Sequence, residues 1–552
     1  MTRNERLLAF FIVLAAFLVR VWMLDYRPAH HDEGVNGTFA DEMREQGFYA
    51  YRPDNYHGPL HFYVLFAAEQ LFGRSLWVLR MPTVLAGTAA VAMMFAFRRW
   101  LSFGAVAVAA GAMALSPAMI YYSRDAIHEM WLVLFMLVAA YGGLGIFCDA
   151  AGRPRDRWCF GLGLTGMVLT KETYLLHAIA AAIATGCVLL VRTTPSSMLF
   201  DERPDAAALF NPRHKRLENG PGAGTRTPNP TRWKITAVCV GLVIAFYSGF
   251  GMNWGGVLGL METWGYMLRK GYATGPGTED GQHKEWWYYL RLLWRYEWPA
   301  LAGLVAAPLV SIAPARNIPT PLRFLALFGL GSLAGYSLIA YKTPWCLITV
   351  LPPFFLVMGW LFDQLAAYLG EGTTERAASG LLLTALLAQP AIASWRLNFR
   401  NPTDDGGNYA YVQTTRDIEK LLVPLRTLIA RDPLNRYLHG NILSEAFPLR
   451  WELGSMPNVE FLDNCEHPET LPAELDAEFL LFPRSSGTEA EYPDDCEWAV
   501  RRRLRGAYFE IPYLPRAYGE PCWLFLDAEK FRPFFPGREP EFHPRVPQEE
   551  TK

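Results

Sequence analysis

The sequence is short of several things, and each shortage removes a class of function. It has no charge bias: 51 Lys and Arg stand against 53 Asp and Glu, a formal net charge of -2 over 552 residues. No basic domain or Lys/Arg stripe stands out, which argues against nucleic acid as a partner. Only 8 cysteines occur and none forms a CxxC pair, so the pattern of a zinc ribbon or a thioredoxin-like motif is missing. No Gly-rich phosphate loop or dinucleotide fingerprint is convincing, which disfavours a soluble nucleotide as a direct reactant. Charge itself is scarce: 19% of residues are charged, against 51% hydrophobic and 14% aromatic. Long stretches are almost free of it, as in a polytopic membrane protein.

The first apolar run, "LLAFFIVLAAFLVRVWML", is long enough to span a bilayer and lacks a small-residue cleavage site, so it reads as a retained signal-anchor helix. About eleven spans are predicted by length and apolarity, near 7–24, 77–97, 101–119, 127–148, 158–170, 174–192, 233–250, 298–313, 322–340, 346–368 and 377–397. If they alternate, Arg3, Arg6, Arg98, Arg99, the "GRPRDR" loop, the long loop from 193 to 232, "ARNIPTPLR" and Arg376 share one side. The positive-inside rule makes that side cytoplasmic. The polar clusters at 30–61, 121–129, 171–172, 251–297 and 341–345, and everything after about 398, then face outward from the cytoplasmic (inner) membrane.

The expected architecture is therefore a polytopic α-helical membrane domain over 1–397, an extracytoplasmic α/β domain over 398–535, and a Pro-rich, polar, disordered tail over 536–552. Strand-length runs such as "VEFLD", "AEFLLFP" and "CWLFLD" alternate there with the helical "TTRDIEKLLVPLRTLIA". Cys465, Cys496 and Cys522 lie in this region, enough for one bridge and one leftover thiol.

The densest acid/base cluster is "HHDEGVNG", just after the first span. Asp32 and Glu33 stand where desolvation raises a carboxylate pKa and favours general-base behaviour; capping of the following helix is the plainer use of the same residues. "YYSRDAIHEMW" brings Arg124, Asp125, His128 and Glu129 to the same surface, where Arg124 also suits a simple headgroup anchor. In "LTKETYLL", Lys171 and Glu172 lie between two apolar runs, a placement that is costly in lipid unless the pair meets a cavity or a partner. Lys342 of "YKTPW" sits alone at a span end, suited either to snorkelling or to gripping a lipid phosphate. "NYHGPLHFYVLFAAEQLFG" is too short to span comfortably and reads as an interfacial helix with His57 and His61 toward a cavity. "GYATGPGTEDGQHKEWW" reads as a mobile loop carrying His283 and Lys284.

These residues, in this order, resemble the GT-C superfamily of integral-membrane glycosyltransferases. The resemblance is to the dolichyl-phosphate-mannose protein mannosyltransferase-like branch that includes the aminoarabinose transferases of lipid A. It is carried by the Asp-Glu of the first external loop, by Ser123-Arg124 with Glu129 six residues after the serine, and by "TKE" and "KTPW". "HHDEGVNG", "YHGPLHFY" and "KTPW" look closer still to a bacterial and archaeal group within that branch. The likeness covers roughly residues 1 to 400.

It implies an inverting enzyme that moves a sugar, hexosyl or mannosyl-like, from a polyprenyl-phosphate carrier to an acceptor outside the membrane. Asp32 then matches the general base, Glu33 its neighbour in binding or positioning, and Glu129 the second acidic position. Arg124, Lys171 and Lys342 suit the departing phosphate, whose charge grows as the glycosyl bond breaks. Glu172, His57, His61, Tyr122, His283 and Trp345 are candidate substrate contacts. The partners implied are the lipid-linked donor, membrane lipid, and an acceptor that is a protein, a lipid or a glycan. No cofactor is required by the motifs. A divalent cation is the one addition that His30, His31, Asp32, Glu33, His57 and His61 suggest, although adjacent histidines lack the i, i+4 spacing of a helical zinc site. The rival classes are a transporter or lipid-linked-sugar flippase component and a non-catalytic assembly protein. Charges gathered at one surface, with no paired broken helices, speak against the transporter.

Overall fold

The computed structural model describes residues 1–55, 57–149, 153–193, 230–272, 284–313, 318–370, 372–404, 406–462, 465, 467 and 471–543. His283, most of the loop around it, and the loop from 194 to 229 lie outside the described residues. The chain forms two compact units: Met1–Leu24 with Glu42–Arg400, and Asp25–Asp41 with Asn401–Lys552.

The helices to the end of the first unit are α1 (Arg3–Val21), α2 (His31–Gln46, whose first eleven residues belong to the second unit), α3 (Leu60–Phe72), α4 (Leu76–Met94), α5 (Phe103–Leu115), α6 (Pro117–Ser123), α7 (Glu129–Cys148), α8 (Pro154–Thr170), α9 (Tyr174–Thr193), α10 (Pro230–Tyr247), α11 (Gly255–Tyr272), α12 (Tyr288–Tyr296), α13 (Trp298–Ile312), α14 (Thr320–Leu338), α15 (Leu351–Leu369) and α16 (Thr373–Trp395). Among the described residues, four stretches are long and apolar enough to cross a membrane: Leu76–Arg99, Glu129–Cys148, Thr320–Leu338 and Thr373–Arg400. Shorter apolar helices run over Leu60–Phe72, Tyr174–Leu190, Trp233–Tyr247 and Trp298–Ile312. α1 is long but carries Arg3, Glu5, Arg6 and Arg20.

The span expected over 101–119 is not continuous. α5 and α6 meet at a 60° bend, because Pro117 has no N–H to give to the helix before it. Ser116 starts the new helix, accepting from the Met119 amide at 3.3 Å. Glu297 seals the break, accepting from Ser116 Oγ at 2.8 Å and the Ala118 amide at 3.0 Å. At the other side of the bend the buried Arg20 donates to the Met113 carbonyl at 3.4 Å and to Ser123 Oγ at 3.1 Å. A broken helix inside an apolar bundle leaves backbone groups that only such side chains can satisfy.

α7 and α8 pack as a hairpin with a polar cluster at each end. At one end the Arg99 guanidinium forks onto Asp156, at 2.7 and 2.9 Å, and pairs with Asp149. The other end carries Glu129, the first residue of α7, and Lys171, just past α8.

In the second unit, α17 (Glu419–Arg431), α18 (Leu449–Glu452), α19 (Cys496–Arg503) and α20 (Ala528–Phe531) accompany β1 (Gly440–Ile442), β2 (Val459–Phe461), β3 (Phe479–Pro483), β4 (Gly506–Tyr513), β5 (Cys522–Asp527) and β6 (Glu541–His543). The six strands form one mixed sheet in the order β2-β1-β3-β5-β4-β6. β2, β1 and β3 run parallel, and the pairings onward from β3 are antiparallel. β3, "FLLFP", is apolar throughout because both faces are covered: Phe479 and Leu481 join one core with Leu421 and Leu425, while Leu480 and Phe482 join another with Val500 and Phe525. Cys465 and Cys496 form a disulfide, and Cys522 is a buried free thiol. Of the stretch expected to be a disordered tail, Glu541–His543 pairs with β4 instead; residues 544–552 lie outside the described residues.

Residues 25–41 join this unit by specific contacts. The Gln413 side chain donates to the Pro28 carbonyl at 3.0 Å, and the Arg416 guanidinium stacks 4.0 Å from the Tyr26 ring centroid. Two glycines in the first turns of α2 explain an otherwise poor helical sequence. A Cβ on Gly34 would stand 2.6 Å from Pro448 Cα, and one on Gly37 2.5 Å from the Trp451 ring. Glycine weakens a helix, but here it permits the backbone to lie directly on α18 and the residues before it.

Candidate active site

Two polar clusters contain several of the residues singled out in the sequence, one in each unit.

In the second unit, α2 begins with a division of labour. His30 Nδ1 accepts from the Asp32 amide at 3.0 Å, and Glu33 Oε2 accepts from the His30 amide at 2.8 Å. This is the reciprocal capping arrangement, with histidine in the place usually held by serine or threonine. Because Nδ1 accepts, Nε2 bears the proton and donates to the Tyr411 carbonyl at 3.0 Å. Glu33 is fully buried and serves the helix. Asp32 is half-buried, and no hydrogen bond of its carboxylate occurs among the described residues.

His31 accepts from Arg516 Nη2 at 3.0 Å, and the same guanidinium pairs with Glu445 at 2.5 Å. Burial pushes the His31 imidazole down to about 4, against the pull of neighbouring Asp32; Arg516 adds to the depression. The unfolded chain therefore takes up a proton near the ordinary histidine value of 6.5 while the folded chain refuses it. The folded state is favoured above pH 6.5 and loses stability as the pH falls toward 4. Hydrogen-exchange protection of the sheet in the full chain should decline between pH 6.5 and 5. His31→Gln should flatten that decline, and an unchanged slope would disprove the assignment.

In the first unit, the cluster gathers at the ends of α7 and α8. Lys171 forms an ion pair with Glu129, and both are almost wholly buried. The backbone of Lys171 is extended, φ -154° and ψ 138°, so Glu172 points the other way and accepts from His57 Nδ1 at 3.0 Å. Charges this deep persist only when paired. His128 lies between His57 and His61, with ring centroids at 4.6 and 4.5 Å. Gly58 makes the approach feasible: its amide donates to the Thr170 carbonyl at 3.1 Å, and a Cβ there would stand 2.3 Å from the Leu169 carbonyl group. Gly58→Ala should destabilise the protein by about 1–3 kcal/mol and separate His57 from Glu172. Thermal unfolding in detergent tests this, and a neutral substitution would show that the loop can move aside.

Other expected site residues have structural employment. Arg124 donates to the Trp22 carbonyl at 2.5 Å and the Met23 carbonyl at 2.8 Å. It thereby covers the C-terminal end of α1, where Met23 takes a left-handed φ of 50°. Lys342 is buried and donates to the Lys284 carbonyl at 3.0 Å and to the Ile339 carbonyl; Lys284 Nζ returns a bond to the Lys342 carbonyl at 3.0 Å. His61 is fully buried, its Nε2 donating to the Ala126 carbonyl at 2.9 Å, a packed position rather than the cavity-facing one expected. Tyr122 meets Trp345 edge-on, ring centroids 6.3 Å apart. Sequence reasoning left Arg516 and Glu445 unnoticed, for no local pattern marks them. The central ring of the histidine cluster, His128, was named within "YYSRDAIHEMW" but given no role.

Among the described residues, the one set of His, Cys and carboxylate groups whose ligand atoms converge within 4.8 Å is Glu510, Glu541 and His543. There the Arg501 guanidinium already forks onto Glu510 at 2.9 and 2.8 Å. The "HHDE" stretch does not form such a set.

Residues 56–203 match the family model described as dolichyl-phosphate-mannose-protein mannosyltransferase. No curated protein matches the sequence. Among solved structures, ArnT from Cupriavidus metallidurans bound to undecaprenyl phosphate is 14% identical with a TM-score of 0.53, covering 96% of this chain and 99% of that one. The Archaeoglobus fulgidus oligosaccharyltransferase tethered to an acceptor peptide containing the NVT sequon is 11% identical with a TM-score of 0.55, over 92% of this chain and 73% of that one. The archaeal oligosaccharyltransferase AglB from the same organism, in complex with an inhibitory peptide and a dolichol-phosphate, is 10% identical with a TM-score of 0.51, over 92% and 73%. The chain shares the fold of these solved structures. The similarity read from the motifs and the family match over 56–203 agree on the dolichyl-phosphate-mannose protein mannosyltransferase-like branch as what the chain resembles.

Proposed function

We propose that this chain is an inverting membrane glycosyltransferase that moves a sugar from a polyprenyl-phosphate carrier to an acceptor outside the cytoplasmic membrane. Asp32 takes the acceptor proton as the acceptor oxygen or nitrogen attacks the anomeric carbon, and the carbon–oxygen bond to phosphate breaks in the same displacement. The bonding pair leaves on the phosphate, where Lys171 balances the growing charge; Arg124 and Lys342 hold the backbone around it. Glu129 keeps Lys171 charged and in place, and His57 with Glu172 orients the sugar. The carriers bound to ArnT and AglB, undecaprenyl phosphate and dolichol-phosphate, are the chemical class expected here. About eleven crossings, the outward face of the clusters, and acceptor selection by the domain over 398–535 complete the reading.

The observation that carries it is the start of α2. His30 and Glu33 satisfy the helix terminus, and the Asp32 carboxylate stands beside them without a hydrogen bond among the described residues. A general base needs that freedom. The test is transfer by the purified full chain, in lipid, from a panel of radiolabelled polyprenyl-phosphate sugars with membrane extract as acceptor source. Transfer with inverted anomeric configuration is expected. No transfer from any donor would remove the reading.

A further inference from the structure

α12 has two faces of different chemistry. On one, Tyr288, Tyr289, Leu292, Leu293 and Tyr296 are buried. This side ties the helix down: Tyr289 Oη donates to the Thr343 carbonyl at 3.1 Å, and Gln389 Nε2 donates to the Arg295 carbonyl at 2.8 Å. The other face is exposed. It carries Trp287 at the N-cap, Arg291, Trp294 and Arg295, which helical spacing gathers into one stripe. Trp286 before the helix and Trp298 after it are exposed as well. An indole as open as that of Trp294, 70% exposed, leaves a large apolar surface uncovered, and four of them together mark an interaction surface. The two guanidiniums are equally uncommitted. Among the described residues, Arg291 and Arg295 lie near the rings of Tyr288 and Tyr296, 5.5 and 5.4 Å from the centroids, and neither has an ion pair. Exposed arginines of the second unit differ: Arg426 pairs with Glu452 at 2.7 Å and Arg502 with Glu489 at 2.8 Å.

The combination selects a partner. Indoles beside basic side chains on an amphipathic helix suit the headgroup level of a bilayer, where the rings reach the acyl boundary and the cations reach phosphate. A guanidinium fork matches two phosphate oxygens, and two forks one turn apart, with no carboxylate paired to them, leave a net positive surface. A zwitterionic headgroup brings its own cation to that surface; an anionic one does not. Because the same unit carries helices long and apolar enough to cross a membrane, such headgroups are at hand. We propose that the outer face of α12 is a docking surface for anionic phospholipid, with lipid phosphates on Arg291 and Arg295 and the indoles of Trp287 and Trp294 at the acyl boundary. The inner face gives this contact a route to the "KTPW" turn through Tyr289 and Thr343. The docking surface goes beyond the transferase reading and does not depend on it.

The experiment is lipid binding by the full chain in neutral detergent, read by native mass spectrometry. The probes are phosphatidylglycerol and phosphatidylcholine with matched acyl chains, undecaprenyl phosphate, and inorganic phosphate as competitor. Phosphatidylglycerol should be retained in preference to phosphatidylcholine, and the preference should shrink as salt is raised. Arg291→Gln and Arg295→Gln should each weaken phosphatidylglycerol binding about fivefold, and together they should abolish the preference. Arg291→Lys with Arg295→Lys keeps the charge without the fork and should restore part of it. The side chains are exposed, so thermal unfolding in lipid-free detergent should match the parent; if the glutamine pair fails to fold, the lysine pair decides by an intermediate affinity. Equal retention of the two phospholipids, or a preference indifferent to these substitutions, would overturn the docking surface. Displacement by equimolar inorganic phosphate would make it a small-anion site instead, and tighter binding of undecaprenyl phosphate, lost in the same variants, would make it a surface for the carrier. Because binding is read without a sugar donor, its failure leaves the transferase reading standing, and an absence of sugar transfer leaves the docking surface standing.

Discussion

Asp32→Asn should reduce sugar transfer by about 10²–10⁴-fold, the usual contribution of a positioned general base, while the protein still inserts and folds. The substitution keeps the shape of the side chain and removes its capacity to take a proton. Because Glu33 and His30 hold the beginning of α2, the helix does not depend on the Asp32 carboxylate. Glu33→Gln should behave in the opposite way. It weakens a buried charge-assisted cap, at a cost of about 0.5–2 kcal/mol, and lowers activity only as far as α2 becomes mobile. Transfer rates in membranes at equal protein level, read beside thermal unfolding, separate the two effects. An Asp32→Asn protein with full activity would remove the base, and a Glu33→Gln protein that is equally stable but inactive would move the base by one residue.

The second large effect is expected at Lys171. Lys171→Met leaves the Glu129 carboxylate buried without its cation, which should destabilise the protein by about 3–5 kcal/mol. Adding Glu129→Met removes the stranded charge, so the double variant should recover much of that stability. Neither variant should transfer sugar, since the proposed reaction needs a cation at the leaving phosphate. Unfolding in detergent, single against double, measures the coupling. A double variant no more stable than the single would mean that the pair does not act as a unit, and an active double variant would take Lys171 out of the chemistry.

How much of this was legible in the sequence depends on distance along the chain. "HHDE" announced itself as a cluster, and its two readings, helix cap and base, were both open. The structure gives the cap to Glu33, and the proposal gives the base to Asp32, whose carboxylate makes no hydrogen bond among the described residues. The spacing from His30 to Glu33 is that of a capping box, but histidine is not a usual cap, so the pattern did not declare which acid was taken. The break at Ser116-Pro117 was written plainly, a capping residue followed by proline, yet the apolar run around it suggested one continuous span. "AEFLLFP" and "CWLFLD" show β3 and β5 as runs of apolar residues, whereas β1 and β6, three residues each, are too short to leave a pattern. Arg124 as the cap of α1, and Arg516 beside His31, depend on partners more than a hundred residues away. No local rule reaches that far.

The grouping of Asp25–Asp41 with Asn401–Lys552 has a consequence for biosynthesis. Ribosomes deliver the beginning of α2 first and the surface that Gly34 and Gly37 rest on only hundreds of residues later. At ordinary elongation rates the wait is on the order of tens of seconds. During that interval a glycine-weakened helix bearing Asp32 has no mate, so the proposed base acquires its setting only when translation is nearly over. Nascent chains that stall before α18 would thus be membrane-inserted but chemically silent.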